Sequence, residues 1–361
     1  MNKIYIFILA LTTLFVVSCE RRPLLEISNT HYLRVYIDEE IKNVTCDYYN
    51  PYYKQPSYKS PDVMRVVLAD PISGNVKAER YLRNKGKDEK GTYYDGYIIA
   101  DPGNYKMMAY NFDTETSLIN GEGNIKEAKA YTNEIASHLR AKISSRSNTD
   151  IENEKIVYEP DHLFTFNSDE LIIPYSEKID TISATNGGQF IAQSIVKSYY
   201  LQVQVKGIQW AASTVGLLTG LSGSCQLENG GIDNNDSITV YFEMSPNDTE
   251  SVGIEYHTSG TTEGANDDVV TLYTTFNTFG KIPELRNNLQ ITFDFITTYG
   301  QTYSETFDIT KAFATDEAIN NRWLLIDHTI TIPEPPPPSG GGGGFRPEVD
   351  DWEDINTDIK I

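Results

Sequence analysis

The chain has 361 residues, and 51 acidic against 30 basic side chains give it a formal charge of −21. Such a polyanion repels phosphate backbones, which argues against nucleic acid as a partner. Three cysteines over this length rule out a disulfide framework, and none falls in the CxxC spacing of a zinc site.

The first residues read MNKIYIFILALTTLFVVSC. Lys3 supplies a small positive start, and Ile4 to Val17 form an uncharged, mostly apolar run. As a helix this run spans about 21 Å, short of a hydrocarbon core of roughly 30 Å. It is therefore expected to be a signal peptide, residues 1–18, rather than a spanning helix. Val16-Val17-Ser18-Cys19 resembles a bacterial lipobox, which makes Cys19 the expected acylated residue. Each buried CH₂ of its chains would contribute about 0.8 kcal/mol of membrane binding. Residues 19–30 then serve as a tether. Cys46 and Cys225 remain; they either form one disulfide or stay as two thiols.

Strand signals dominate the chain beyond residue 30. Leu33, Val35 and Ile37 alternate with Tyr32, Arg34 and Tyr36; VMRVVLAD (63–70), NYKMMAYNF (104–112) and LFTFNSDELIIP (163–174) continue the pattern between turn signals. The proline-punctuated loop CDYYNPYYKQPSYKSP (46–61) carries Tyr48, Tyr49, Tyr52, Tyr53 and Tyr58, either as an aromatic platform or as half-wet rings over a sheet edge. After the polar stretch TISATNGGQ the alternation becomes cleaner: Leu201/Val203/Val205, Ile238/Val240/Phe242/Met244, Ile291/Phe293/Phe295 and Leu324/Ile326/Ile330/Ile332. Period-2 alternation predicts one buried and one wet face, the arrangement of an antiparallel sandwich. Helix candidates are few, 124–139 and 310–321, and suit short crossovers. About 300 residues of folded body exceed one ordinary small core and predict two domains, 31–178 and 179–334.

The end of the chain is of a different kind. Four prolines and five glycines in EPPPPSGGGGGF make 335–344 a stiff and then flexible linker. In the tail, 345–361, Ile355, Ile359 and Ile361 lie on one face of a strand-like pattern that is not stable alone. These three, with Trp352 between acids, are the candidate partner-binding residues, by addition to a sheet edge. The other readings are a disordered end and docking on its own sandwich.

No catalytic constellation emerges. HExxH and GKS/GKT are absent, and GLLTGLSG (216–223) misses the nucleophile-elbow spacing. The five histidines share no ligand spacing, and His328, in phase with Ile326 and Ile330, reads as a core or edge histidine with a backbone partner. The Asp/Asn loops at 233–236 and 266–268 lack the oxygen pattern of a calcium loop and read as solvated turns. No catalytic residue, metal site or cofactor is expected, and no enzyme.

Four segments carry a resemblance: the lipobox, PGNYKMMAYNFD (102–113), EPDHLFTFNSDELIIP (159–174) and YYLQVQVKGIQWAASTVGLLTGLSGSC (199–225). Together they resemble the Bacteroidales fimbrillin-superfamily lipoproteins, and among these the fimbrial anchor proteins. The resemblance implies an all-β fold of two successive transthyretin-like sandwich domains with the linked C-terminal strand. It also implies a cell outer membrane location, lipid anchorage through Cys19, and fimbrial subunits as partners by strand addition. The alternative function is a surface glycan-binding lipoprotein of a polysaccharide-uptake system, using the tyrosine-rich loop.

Overall fold

The computed structural model describes residues 29–39, 60–144, 154–168, 170–175, 179–183, 188–244, 252–256, 269–282 and 289–336. Alternating sequence becomes strand almost throughout. In chain order the first half forms β1 (Thr30–Ile37), β2 (Met64–Ala69), β3 (Val76–Leu82), β4 (Asn84–Asp88), β5 (Gly91–Ile99), β6 (Gly103–Asn111), β7 (Ser117–Asn120) and β8 (Lys129–Thr132). A short helix, α1 (Ser137–Ser144), leads to β9 (Lys155–Tyr158), β10 (Phe164–Asn167), β11 (Leu171–Ile173), β12 (Asp180–Thr181) and β13 (Phe190–Ser194). The second half runs β14 (Lys197–Lys206), β15 (Ala211–Ser222), β16 (Ser224–Gln226), β17 (Ser237–Glu243), β18 (Val252–Tyr256), β19 (Val269–Thr278), β20 (Gln290–Thr297) and β21 (Thr302–Asp308). It closes with α2 (Asp316–Asn321) and β22 (Trp323–Thr331). The all-β expectation holds.

A ten-stranded sheet follows the path β3-β2-β6-β10-β13-β1-β5-β4, with β11 added to β6 and β12 to β1. Its two end strands, β3 and β4, are separated in sequence by Arg83 alone. The sheet therefore curls round until its ends meet, and β3 packs near β5. Gly96 fits this seam because a Cβ there would lie 3.0 Å from Leu82 Cδ2. Inside the curl lie Leu33, Val35, Met64, Val66, Leu68, Tyr94, Met107 and Phe164, all buried.

The second body is a sandwich of a four-stranded sheet, β18-β19-β14-β22, on a five-stranded one, β21-β20-β15-β17-β9. Val203, Val205, Val240, Phe242, Leu272, Ile291, Phe293, Phe295 and Ile330 fill the space between them. Most ladders are antiparallel, but β1 runs parallel to β12 and β13, β14 to β22, and β17 to β9. Two ladders cross between the halves of the chain: β9 joins β17, and β8 joins β16. A further cluster, including Val67, Tyr110, Ala130, Leu163, Cys225 and Phe279, packs residues of both halves together.

Alternation does not always leave one face wet. β2 is buried at every position, with Val66 and Leu68 in the curl and Val67 and Ala69 in the cluster shared by the two halves. Tyr241, on the outer face of β17, is also covered, because Ile135 and Ile143 of the segment carrying α1 pack on it with Leu217. The helix candidate 124–139 is instead strand at 129–132, and only 137–144 coils. The second candidate, 310–321, contains a single 3₁₀ turn, Ala312–Ala314, and then α2. Thr315 caps α2 by accepting the Ala318 N–H at 3.2 Å, and Arg322 ends it in the left-handed region.

His328 lies on an edge strand, one of the two places its sequence reading allowed, but its partner is a carboxylate and not the backbone. The β14–β22 register slips between Val203 and Gln204, so Asp327 and His328 bulge outward from the ladder. The His328 ring is exposed, lies over Phe307 with centroids 4.9 Å apart, and meets a carboxylate, Glu305, at 3.0 Å. The loop 233–236 is a turn, as expected: Asp233 accepts the Asn235 N–H at 3.0 Å and pairs with Lys129 at 3.4 Å. Cys225 is a free, buried thiol, and burial pushes its pKa up to about 12, which makes it unreactive.

Candidate functional site

Cys19, Trp352, Ile355, Ile359, Ile361 and residues 46–59 of the tyrosine-rich loop 46–61, its five tyrosines included, lie outside the described residues. Ile332 and Pro333, near the end of the described residues, are tied to the sandwich. The Ile332 N–H donates to the Lys206 carbonyl at 2.9 Å, and the Tyr299 hydroxyl donates to the Pro333 carbonyl at 2.9 Å. The Pro/Gly linker thus leaves from a fixed point on the sandwich.

Two clefts are built from described residues. The larger, about 620 Å³, opens along the seam of the curled sheet and is lined by Tyr32, Arg80, Tyr81, Arg83, Asn84, Asp95, Gly96 and Tyr97. Register explains its composition. Ala78 and Leu82, on either side of Arg80 in β3, face the curl, but Arg80 itself is exposed. Asp95, at the floor, is fully engaged: the Tyr32 hydroxyl donates to it at 2.6 Å, Arg34 at 3.1 Å, and the Asn84 amide also donates. Burial opposes ionisation of Asp95, but these donors outweigh it and hold its carboxyl below the usual range. Arg34 is spent as well, pairing with Asp88 and lying 3.6 Å over the Tyr93 ring. No described residue pairs with Arg80 or Arg83. Tyr97 is 50% exposed with its ring edge-on to Tyr32 at 5.5 Å, and Tyr81 is 39% exposed beside Phe112 at 5.3 Å.

The smaller cleft, about 390 Å³, involves Thr116, Tyr158, Glu159, Asp161, Tyr241, Glu243 and Asn277, where the two halves meet. Asp161 pins the turn before β7, accepting N–H bonds from Glu115 at 2.8 Å, Thr116 at 2.6 Å and Ser117 at 3.1 Å. Glu159 accepts the Asn277 N–H at 2.7 Å, which ties β9's end to β19. Desolvation nonetheless pushes the Glu159 carboxyl up to about 8. Neighbouring His162 is pushed down to about 4, again chiefly by desolvation. Of these groups Glu159 joins the halves, while the Thr116 hydroxyl donates to Asp161 at 2.9 Å and the Tyr241 hydroxyl to Glu243 at 3.0 Å. Among the described residues no group of three or more His, Cys, Asp or Glu side chains is placed to hold a metal.

Neither cleft was visible in the sequence. The segment 76–88 carries few apolar residues, Arg80 interrupts the Val76/Ala78/Leu82 alternation, and its arginines matter only once the sheet has closed.

A curated relative, "Putative fimbrium anchoring subunit Fim4B" of Bacteroides ovatus, is 29% identical over 191 residues, which is 53% of this chain and 49% of the relative. The chain thus spans about half the length of the curated relative it matches. Among solved structures, a "putative adhesin" from Bacteroides ovatus superposes with a TM-score of 0.51 at 22% identity, covering 89% of this chain and 98% of that one. It shares the fold. The fimbrial anchor protein Mfa2 from Porphyromonas gingivalis is more distant, with a TM-score of 0.40 at 11% identity, covering 82% and 88% of the two chains. A family model described as a domain of unknown function, DUF5119, matches residues 18–243, well over half of the sequence, and the chain belongs to that family.

Proposed function

We propose that this protein is a lipid-anchored outer-membrane subunit that tethers or initiates a fimbria-like assembly. The observation that carries the reading is the 191-residue similarity to the relative described as "Putative fimbrium anchoring subunit Fim4B". The physical design is consistent with it. Acyl chains on Cys19 would hold one end of the chain at the membrane, and a non-enzymatic β body would separate that end from the linker. Beyond the pinned Pro333, the linker presents the tail to a fimbrial subunit, whose open sheet edge takes Ile355, Ile359 and Ile361 on one face, with Trp352 as an anchor beside them. Backbone hydrogen bonds would supply affinity, and the apolar face would supply register.

The test is fractionation and pull-down from cells. Cys19→Ala should release the folded protein from the membrane fraction. Ile359→Asp should lose co-purification of the polymerising subunit, since it would bury an unpaired carboxylate. A Cys19→Ala protein that stays membrane-bound would overturn the anchorage. An Ile359→Asp protein that captures as much subunit as wild type would overturn strand addition.

A further inference from the structure

In a chain of net charge −21, the lining of the seam cleft gathers two arginines and a single carboxylate. Two arginines stand in it without a described carboxylate partner, while its one carboxylate, Asp95, is occupied from three sides. The exposed Tyr97 and Tyr81 rings stand among the same lining residues, and the volume of about 620 Å³ lies in the range of small-ligand sites. A guanidinium is a planar fork matched to a carboxylate, and a tyrosine face suits the C–H surface of a pyranose ring. The strands bordering the cleft discourage a peptide ligand. β3 carries Lys77, Glu79 and Arg80, and β4 carries Lys85 and Lys87, charges that guard an edge against strand addition. Recognition there falls to side chains rather than to the backbone ladder.

We infer that the cleft bounded by Arg80, Tyr81, Arg83, Asn84 and Tyr97 binds an acidic oligosaccharide, with a uronate carboxylate on the arginines and a sugar ring against tyrosine. The site shares no residue with the tail and does not depend on the anchoring role. A surface subunit with such a site would grip acidic polysaccharide directly.

The experiment is calorimetric titration of the full chain with tetramers of galacturonate, glucuronate and mannuronate. Neutral galactose tetramer and tetraglutamate serve as controls. At least one uronate tetramer should bind tenfold or more tightly than both controls. Arg80→Ala and Arg83→Ala should each weaken that binding about tenfold, as should Tyr97→Ala, whereas Tyr97→Phe should retain it. These side chains are exposed, so the melting temperature should not move; a variant that melts early is replaced by its Arg→Gln counterpart. Equal binding of tetraglutamate would overturn the inference in favour of an acidic peptide site. Absence of preferential uronate binding, or full affinity in a folded Arg80→Ala/Arg83→Ala double variant, would also overturn it.

Discussion

Glu159 and His162 sit three residues apart, and the same desolvation drives them in opposite directions. The folded Glu159 carboxyl keeps its proton up to about pH 8, against 4.5 ordinarily, so the folded state holds more protons across that window and stability falls as pH rises. Folded His162 takes its proton only near pH 4, against 6.5 ordinarily, so stability is lost as pH falls through that window. The two slopes oppose each other between 4.5 and 6.5, and Glu159 acts alone above 6.5. Glu159→Gln keeps an acceptor for the Asn277 N–H, so thermal melts of this variant should lose the decline between pH 6.5 and 8 that wild type shows. An unchanged slope would clear Glu159 of that role. Core residues offer a plainer case. Val203 and Phe293 are fully buried between the two sheets of the sandwich. Phe293→Ala should cost about 3–5 kcal/mol, and Val203→Ala somewhat less, in urea unfolding. Both burials were legible from alternation alone, because each strand presents one face to the same core. Glu159 was not: its sequence context, EPDH, gives no sign that β19 will lie against it.

β17 shows why elements were read less well than residues. Its alternation gave Ile238, Val240, Phe242 and Met244 correctly as one buried face. Thr239 and Tyr241 of the opposite face are buried too, because Ile135 and Ile143 pack over Tyr241 and Glu154 accepts hydroxyl hydrogen bonds from Ser237 at 2.9 Å and Thr239 at 2.6 Å. Such cover comes from residues some 80 positions away in sequence, as those two bonds show, and a local pattern does not register it. The neighbouring strand makes a sharp prediction. Gly216 of β15 faces the Phe242 ring, and a Cβ there would sit 2.2 Å from it. Gly216→Ala should therefore destabilise the sandwich by about 1–3 kcal/mol through overpacking. Phe242→Leu in the same chain should recover part of the loss, which a double-mutant cycle would detect. Strands β3 and β4 were missed for a different reason. As edge strands that carry charge, they offer no unbroken hydrophobic period to read, although their closure forms the seam cleft.

For the whole molecule, the all-β class could be read from the frequency of alternating segments, whereas the exchange of strands between the halves could not. With β9 completing the five-stranded sheet of the second half and β16 the three-stranded sheet of the first, each half loses a ladder when the other unfolds, although the ten-stranded and four-stranded sheets are each drawn from one half. Calorimetry should accordingly give one cooperative transition, and limited proteolysis should not leave a stable half. Two well-separated transitions would mean that the shared cluster around Tyr110, Cys225 and Phe279 couples the halves only weakly. The placement of the first and last strands also has a mechanical consequence. β1 lies inside its sheet, clamped by β5 on one side and by β12 and β13 on the other, whereas β22 borders its sheet and, among the described residues, is laddered to β14 alone. Tension applied between the two ends of the chain must break two ladders at once to free β1 but only one to strip β22. The joint nearer residue 30 should be the one that holds, and the joint nearer residue 331 the fuse that opens first under load.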